Sequence, residues 1–218
     1  MAHPSLHSEE RPFDPAALSD NDLMTRLKEA PPSEVAAGFE VIVHRYKNAI
    51  VSFLFRYVGD PRTAEDLAQE AFLRVYRKIG EYNSTAKFST WLYTIASNLA
   101  KDEFKRRARH PAGSLDWEGG KGADTTRNVP QAMAAEGPEP EQELERGEER
   151  DRVAAALKLL KEDDREILVL KDVQGLAYDE IARILNLPMG TVKSRISRAR
   201  LAFKDVWKRL GSPSGGSS

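Results

Sequence analysis

The sequence predicts an all-α protein in which a flexible acidic linker joins two small helical domains. Three observations lead to this prediction. Apolar residues recur at steps of three and four over long stretches, as they do along one face of a helix. No stretch shows the strict alternation of apolar and polar residues that is typical of a half-buried strand. Residues 111–140 interrupt the helical pattern with glycines and prolines and contain few large apolar side chains.

Residues 1–18 are predicted to be a disordered tail, and residues 19–110 are predicted to form the first domain. Ser19 or Asp20 can cap a short helix that Pro31 ends. Each later apolar stripe indicates a helix that buries one face in a shared core. Such stripes predict longer helices at residues 39–57, 61–79 and 87–109.

The second domain is predicted at residues 141–210, after a linker at residues 111–140 and before a flexible tail at residues 211–218. Pro140 suits the first turn of a helix, and the glutamates after it are favourable near the positive end of the helix dipole. The linker is too poor in apolar residues to offset the entropy cost of ordering it. We therefore expect it to join the domains without a structure of its own.

The composition indicates a cytoplasmic protein without a metal or a cofactor. The chain of 218 residues has no cysteine, which excludes disulfides and thiolate metal sites, and its four histidines show no ligand spacing. Residues 1–30 are polar and acidic, unlike a signal peptide. No run approaches the roughly 20 apolar residues that a membrane helix needs.

The charges nearly cancel, yet they are unevenly distributed. Lys and Arg number 33 and Asp and Glu 34, a net charge of −1. Residues 101–109 contain five basic and two acidic side chains, and residues 176–210 contain eight and three. Residues 111–152 contain eleven acidic and five basic side chains. Two basic segments around an acidic one are typical of a protein that contacts nucleic acid at two places.

The end of the second domain has the pattern of a helix-turn-helix. Helices are predicted at residues 178–185 and 189–209, with a three-residue turn between them. Asn186 tolerates the left-handed backbone that such a turn needs. Pro188 fixes the dihedral angle from which the second helix begins.

One side of this last helix is apolar, and the other is basic and hydroxylic. Steps of four and three predict burial of Val192, Ile196, Ala199, Phe203, Val206 and Leu210. Arginine, lysine and serine reach base edges and phosphates from the major groove. The pattern is also compatible with a solvated basic helix that packs on a bundle. The outward residues, which are candidate duplex contacts, are Thr191, Lys193, Ser194, Arg195, Ser197 and Arg198.

The helix-turn-helix resembles the fourth conserved region of extracytoplasmic-function sigma factors of bacterial RNA polymerase, which recognises the minus-thirty-five promoter element. The resemblance rests on YDEIA at residues 178–182 and GTVKSRISRAR at residues 190–200. It implies that the six outward residues contact minus-thirty-five DNA. One departure is Ala177, where the family usually has Ser or Thr, and loss of that helix N-cap costs about 1 kcal/mol.

A second segment, AEDLAQEAFLRVYR at residues 64–77, has two faces. Leu67, Ala71 and Val75 are predicted to pack inward. The segment resembles the region by which the same family binds the polymerase clamp helices. Its residues are also compatible with a solvated helix stabilised by i,i+4 ion pairs. The resemblance implies polymerase contacts by Asp66, Gln69, Glu70, Leu73 and Arg74.

A third segment, FSTWLYTIASNLAKDEFKRR at residues 88–107, carries a polar and basic stripe beside its core stripe. Such side chains suit an opened promoter strand, which offers phosphates, base edges and unstacked bases. The segment resembles the family's minus-ten recognition and melting region, which implies that Asn98 and the loop at residues 82–87 hold a flipped-out base. Trp91 and Tyr93 are either core residues or stacking platforms. The candidate minus-ten contacts are Asn83, Lys87, Trp91, Asn98, Lys101, Lys105 and Arg106.

The resemblance covers about residues 35–209 in three ordered blocks and implies a sigma factor, which gives RNA polymerase its promoter specificity and catalyses nothing itself. The expected partners are core RNA polymerase, through its clamp helices and flap, promoter DNA and an anti-sigma factor. Activity is expected to respond to stress or another signal. No small-molecule substrate is expected.

Two other classes of function fit this sequence less well. In a stand-alone helix-turn-helix regulator, residues 19–110 would sense a ligand or form a dimer, and the chain would bind duplex tightly without polymerase. No pocket-like cluster of apolar residues favours this class. An enzyme would need a nucleophile, a metal set or a phosphate-binding glycine loop, and the sequence shows none of these patterns.

Overall fold

The computed structural model describes residues 13–109 and 140–211, and all regular structure within them is helical. Short 3₁₀ turns lie at Pro15–Ala17 and Ile79–Glu81, and a π-helical turn lies at Val169–Val173. The all-α class and the two helical domains are thereby confirmed. The α-helices of the described residues are α1 (Asp20–Leu27), α2 (Pro32–Val58), α3 (Pro61–Arg77), α4 (Phe88–Arg109), α5 (Pro140–Lys158), α6 (Glu162–Leu168), α7 (Tyr178–Leu185) and α8 (Met189–Gly211).

In the first domain, α1, α3 and α4 pack around the long central helix α2. Ala64, Ala68 and Ala71 are buried, and their small side chains allow α3 to approach its neighbours closely. Gly38 has a similar role where α1 meets α2, because a Cβ atom there would lie 2.6 Å from Cδ2 of Leu27. A larger residue at this position would therefore push α1 away from the bundle.

Local features at Ser19, Gly59 and Asp60 mark helix ends, although α2 begins at Pro32, before the predicted residue 39, and α3 ends at Arg77, before the predicted residue 79. The Ser19 hydroxyl accepts a hydrogen bond from the N–H of Asp22 at 3.2 Å and caps α1. Gly59 ends α2 with a φ of 80°, which glycine adopts without strain. The Asp60 carboxylate then accepts from the N–H of Thr63 at 2.8 Å and caps α3.

Residues 13–18 are held against α2, which corrects the predicted disorder of this part of the N-terminal tail. The Asp14 carboxylate accepts a hydrogen bond from the N–H of Ala16 at 3.0 Å and starts a 3₁₀ turn. Arg45 on α2 donates to the carbonyls of Ala16 and Leu18 at 2.7 and 3.0 Å. Hydrogen bonds from a charged donor are stronger than neutral ones, so Arg45 fixes to α2 the turn that Asp14 starts.

The second domain consists of α5 to α8 around an apolar core. Asn186 has a φ of 51°, the left-handed conformation predicted for the turn between α7 and α8. The prediction that Leu210 is buried is wrong: Leu210 is 42% exposed, and Val206 is the last fully buried residue of α8. The core includes Leu157, Ile167, Leu170, Ile181, Val192 and Ile196.

Several predicted segments fall wholly or mostly outside the described residues. They are residues 1–12 of the N-terminal tail, residues 111–139 of the linker, and residues 212–218 of the C-terminal tail. None of the helices that the structure describes is both long and apolar enough to cross a membrane.

The two domains pack against each other, with α2 and α4 of the first facing α5 to α7 and the π-helical turn of the second. The Tyr57 hydroxyl donates to Glu162 at 3.0 Å, and the Tyr93 hydroxyl donates to Gln174 at 2.7 Å. Burial raises the pKa of both tyrosines, which therefore stay protonated as donors. Periodicity and composition predict two domains on a linker but give no signal of this contact.

Candidate nucleic-acid and polymerase interfaces

The basic side of α8 faces away from the core of the second domain. Val192, Ile196 and Ala199 are buried. The helical period therefore turns the six predicted duplex contacts away from the core. Thr191 and Arg195 are half-buried, whereas the exposed members are Lys193, Ser194, Ser197 and Arg198.

The two arginines of this set form ion pairs with α6. Arg195 lies 3.2 Å from Asp163, and Arg198 lies 3.5 Å from Asp164. Asp163 is 62% exposed, so a DNA phosphate can replace it as the partner of Arg195 at small cost. Asp164 is buried, so loss of its ion pair with Arg198 costs more. This geometry suits Arg195 and Arg198 to phosphate contacts more than to a fixed position on a base edge.

Arg200, which is absent from the set predicted from sequence, belongs to the same surface. Its guanidinium donates to both carboxylate oxygens of Asp172, and this hydrogen bonding raises the pKa of Arg200. Arg200 lines a shallow groove between α7 and α8 together with Lys193 and Ser197. A helical wheel would have shown this neighbourhood, because positions 193, 197 and 200 are four and three residues apart.

Helix α7 begins without the hydroxyl cap that is usual at position 177. Instead, the Glu180 carboxylate accepts a hydrogen bond from the N–H of Ala177 at 2.8 Å, which is half of a capping box. The same carboxylate, in a residue only 6% exposed, lies 3.0 Å from Nζ of Lys87. The hydrogen bond to Glu180 raises the pKa of Lys87. Glu180 thus connects the helix-turn-helix to the loop before α4.

The predicted minus-ten contacts lie along α4 and the preceding loop and differ in exposure. Trp91 is half-buried, and its ring lies against those of Tyr82 and Phe88, with centroids 5.4 and 6.2 Å away. Tyr93 is buried between the domains and is a core residue. Lys101 is half-buried, and the exposed members are Asn83, Lys87, Asn98, Lys105 and Arg106.

A buried carboxylate of the second domain binds the middle of α4. Glu166 is 2% exposed, accepts a hydrogen bond from the Ser97 hydroxyl and lies 3.1 Å from Nζ of Lys101. Burial raises the pKa of Glu166, although Lys101 and Ser97 act in the opposite direction. While the domains are packed, Glu166 therefore already neutralises much of the charge of Lys101.

The basic end of α4 is organised by a carboxylate of the same helix. Glu103 lies 2.7 Å from both Arg106 and Arg107, and the hydrogen bond from Arg106 is the main cause of the lowered pKa of Glu103. Arg107 also donates to the Thr63 hydroxyl on α3 at 2.7 Å. Arg107 therefore ties α4 to α3, whereas Arg106 keeps an exposed side chain at the surface.

The predicted polymerase contacts form a surface strip on α3. Glu70 and Arg74 are half-buried and form an ion pair of 2.7 Å, whereas Asp66, Gln69 and Leu73 are exposed. The opposite side of α3 is buried, except that Leu67 is only half-buried. Tyr76, which is 45% exposed, adds apolar surface one turn beyond Leu73. Apolar side chains among charged ones are typical of a protein interface.

Two segments of the chain match models of one protein family. Residues 42–110 match Sigma-70 region 2, and residues 150–203 match Sigma-70, region 4. The first match extends over most of α2 and all of α3 and α4. The second extends from within α5 into α8 and includes the helix-turn-helix.

Curated relatives align over most of this chain. RNA polymerase sigma-H factor of Pseudomonas aeruginosa is 36% identical over 177 residues, which cover 79% of this chain and 88% of the relative. ECF RNA polymerase sigma factor SigW of Bacillus subtilis is 36% identical over 187 residues, which cover 85% of this chain and 96% of the relative. ECF RNA polymerase sigma-E factor of Escherichia coli is 33% identical over 195 residues, which cover 85% of this chain and 93% of the relative.

Solved structures share the fold. The sigma factor RpoE from Bartonella quintana, in complex with the anti-sigma factor NepR, matches with a TM-score of 0.59 and 25% identity over 78% of this chain and 96% of that chain. CnrH, in complex with the cytosolic domain of CnrY, matches with a TM-score of 0.60 and 21% identity over 88% of this chain and 99% of that chain. Because regions 2 and 4 match in order and relatives at 33 to 36% identity align over most of its length, the protein belongs to the extracytoplasmic-function group of the sigma-70 family.

Proposed function

We propose that this sigma factor binds core RNA polymerase in the cytoplasm and directs it to promoters whose two elements its domains recognise. Helix α3 contacts the polymerase clamp helices. Helix α4 and the loop before it contact the minus-ten element, and α8 contacts the minus-thirty-five element. The protein performs no catalysis of its own, because the polymerase carries out the chemistry.

The observation that carries this proposal is the presence on three helices of two basic, polar surfaces and one mixed charged and apolar surface. The outward sides of α4 and α8 are basic and polar, as DNA contacts require, and they belong to different domains. The strip on α3 mixes charged and apolar side chains, as protein contacts require. A regulator that bound duplex by itself would have no need of the third surface.

The packing of the two domains also supports the proposal that this protein needs polymerase to bind promoter DNA tightly. Lys87 and Lys101 pair with Glu180 and Glu166 of the second domain. Each basic side chain that does not contact a phosphate leaves DNA binding weaker and less dependent on salt. A free chain with packed domains therefore offers DNA only part of its basic surface.

Addition of core RNA polymerase is expected to convert weak DNA binding into specific initiation. At physiological salt the isolated chain should bind promoter duplex with roughly micromolar or weaker affinity, as in non-specific binding. With core polymerase it should produce transcripts of defined start from a promoter library. Fluorescence anisotropy measures the first result, and reconstituted run-off transcription measures the second.

Core polymerase without this protein is the control and should give no defined start from the same library. Sequence-specific binding of nanomolar affinity by the isolated chain would contradict the proposal. That result would favour the stand-alone regulator instead.

The double substitution of Asp66→Ala with Glu70→Ala is expected to weaken binding to core polymerase about tenfold, as loss of an interface contact of about 1.4 kcal/mol would. Its effect on folding should be small, because Asp66 is exposed and the Glu70–Arg74 pair is an i,i+4 ion pair worth about 0.3–0.5 kcal/mol. Binding to labelled core polymerase and thermal unfolding by circular dichroism measure the two effects.

Glu65→Ala is a matched control, since Glu65 is an exposed carboxylate of the same helix outside the proposed contact set. It should leave polymerase affinity unchanged. If the double variant lost folding stability and polymerase affinity in parallel, Asp66 and Glu70 would be structural residues.

An anti-sigma factor is a further proposed partner, with release triggered by stress or another signal. Support comes from the Bartonella quintana relative, whose structure was solved in complex with the anti-sigma factor NepR. The test is a competition assay, in which such a protein should displace this chain from core polymerase.

A further inference from the structure

Asn21, in the first turn of α1, joins the two ends of the loop before α4. Its side-chain oxygen Oδ1 accepts a hydrogen bond from the Tyr82 hydroxyl at 3.0 Å and another from the N–H of Phe88 at 2.8 Å. Tyr82 precedes the loop, and Phe88 is the first residue of α4. A single amide oxygen therefore closes the loop at residues 83–87, although it belongs to a helix more than 60 residues away.

The bond to Phe88 also satisfies the first N–H group of α4. The first N–H groups of a helix have no partner within the helix and need an external acceptor. Lys87, the residue before α4, has no acceptor on its side chain. Asn21 supplies the acceptor from α1 instead, so the position of α1 determines where α4 begins.

Contacts within the first domain fix the positions of both Asn21 and Tyr82. Asp20, the neighbour of Asn21, lies 2.7 Å from Arg45 and accepts a hydrogen bond from Tyr46, which anchors α1 to α2. Tyr82 is 2% exposed, and its carbonyl accepts a hydrogen bond from Lys28 at 3.0 Å. The hydrogen bond between Asn21 and Tyr82 therefore joins two residues that the helices of the first domain hold in place.

The residues between the two ends face solvent. Asn83, Ser84 and Thr85 are exposed, and within the loop Oδ1 of Asn83 accepts a hydrogen bond from the N–H of Thr85 at 3.1 Å. Ordering an exposed loop costs backbone entropy for each residue. A ligand that needs an ordered loop binds more tightly when the protein has already ordered it.

We infer that Asn21 is a positioning residue for minus-ten recognition, which holds the loop at residues 83–87 in the shape that receives the flipped-out base. The inference rests on the proposed function, in which this loop contacts minus-ten DNA. Asn21 acts through Tyr82 and Phe88 and does not itself contact DNA.

The test uses holoenzyme assembled from the full chain and core polymerase. The probe is forked promoter DNA with a single-stranded minus-ten region, in which the selected base is compared with the other three bases at each position. Asn21→Ala should reduce discrimination at the base that the loop holds by about fivefold to tenfold, as the loss of two neutral hydrogen bonds would. Discrimination at the minus-thirty-five element should be unchanged.

Two further variants separate positioning from general damage to the fold. Asn21→Asp keeps an acceptor oxygen for both bonds and should restore discrimination. Tyr82→Phe removes the bond to Asn21 and the longer contact of 3.3 Å from the same hydroxyl to the carbonyl of Ala86, keeps the bond from Phe88, and should give a smaller loss than Asn21→Ala. Thr25→Ala is the control, because the Thr25 hydroxyl binds only the backbone carbonyl of Asn21 on the same helix.

The loop residue itself is tested by Asn83→Ala. If Asn83→Ala lost discrimination while Asn21→Ala kept it, the role of Asn21 would be disproved and the proposed function would stand. If neither variant changed minus-ten discrimination, the assignment of the loop to DNA would fail, and the inference would fail with it. Equal losses of holoenzyme assembly and of discrimination at both elements in Asn21→Ala would show a structural role and overturn the inference.

Discussion

Replacement of Arg165 by alanine is expected to lower the free energy of unfolding by about 3 kcal/mol. Hydrogen bonds from a charged group are worth about 1.5–3 kcal/mol each, and they are not additive. The Arg165 guanidinium donates to the carbonyls of Leu157 and Lys158 at 2.8 Å and of Leu160 at 3.2 Å, at the end of α5. It also donates at 2.8 Å to the carbonyl of Tyr57 in the last turn of α2. Alanine would leave these carbonyls without their donor.

Arg165→Lys should recover only part of this stability, because an ammonium group cannot place donors on four carbonyls as a planar guanidinium does. Arg152→Ala is the matched control, since the exposed Arg152 contacts the ring of Trp207 at 4.6 Å and such a contact is worth about 0.5–1 kcal/mol. Urea unfolding followed by circular dichroism measures all three variants. A loss no larger in Arg165→Ala than in Arg152→Ala would show that solvent replaces the guanidinium.

Substitution of Lys193 or Ser197 is expected to change the minus-thirty-five sequence that the holoenzyme prefers. Both side chains are exposed on α8, and unlike Arg195 and Arg198 they lie beside the groove between α7 and α8. Loss of a bidentate base contact costs about 1–3 kcal/mol of discrimination at one position. The measurement is selection from a randomised minus-thirty-five library by polymerase that carries each variant.

Arg195→Ala and Arg198→Ala should behave differently from these variants. As phosphate contacts, they should lower affinity for all sequences alike and reduce the salt slope by about one each. Arg209→Ala, which removes an exposed cation in the last turn of α8, more than three turns beyond Ser197, is the control and should select the wild-type sequence. If Lys193→Ala and Ser197→Ala also selected the wild-type sequence, α8 would not lie in the major groove as proposed.

Features that depend on neighbouring residues were predictable from the sequence. Asn186 in its left-handed turn, Ser19 as a helix cap and the buried side of α8 all follow from local conformational preferences or from the helical period. The outward side of α8 follows in turn, since residues opposite a buried stripe face solvent. Both the fold class and the candidate duplex surface were therefore predictable.

Features that depend on residues far apart in sequence were not predictable in this way. Glu166 lies in an acidic and apolar segment like many solvated helices, and only the fold brings it to Ser97 and Lys101. Asn21 and Tyr82 are likewise ordinary residues in sequence, and only the packing of α1 on the first domain brings them together. Such contacts carry no periodic signal, so a single sequence does not contain the pattern that would reveal them.

If Lys101 contacts promoter DNA as proposed, its ion pair with Glu166 makes the second domain a competitor of that DNA. If DNA binds only chains whose domains have separated, the apparent DNA affinity equals the intrinsic affinity multiplied by the fraction of chains that are open. Each 1.4 kcal/mol of domain closure thus lowers the apparent affinity about tenfold. A substitution in α6 that never meets DNA would consequently change the apparent affinity for every promoter by the same factor.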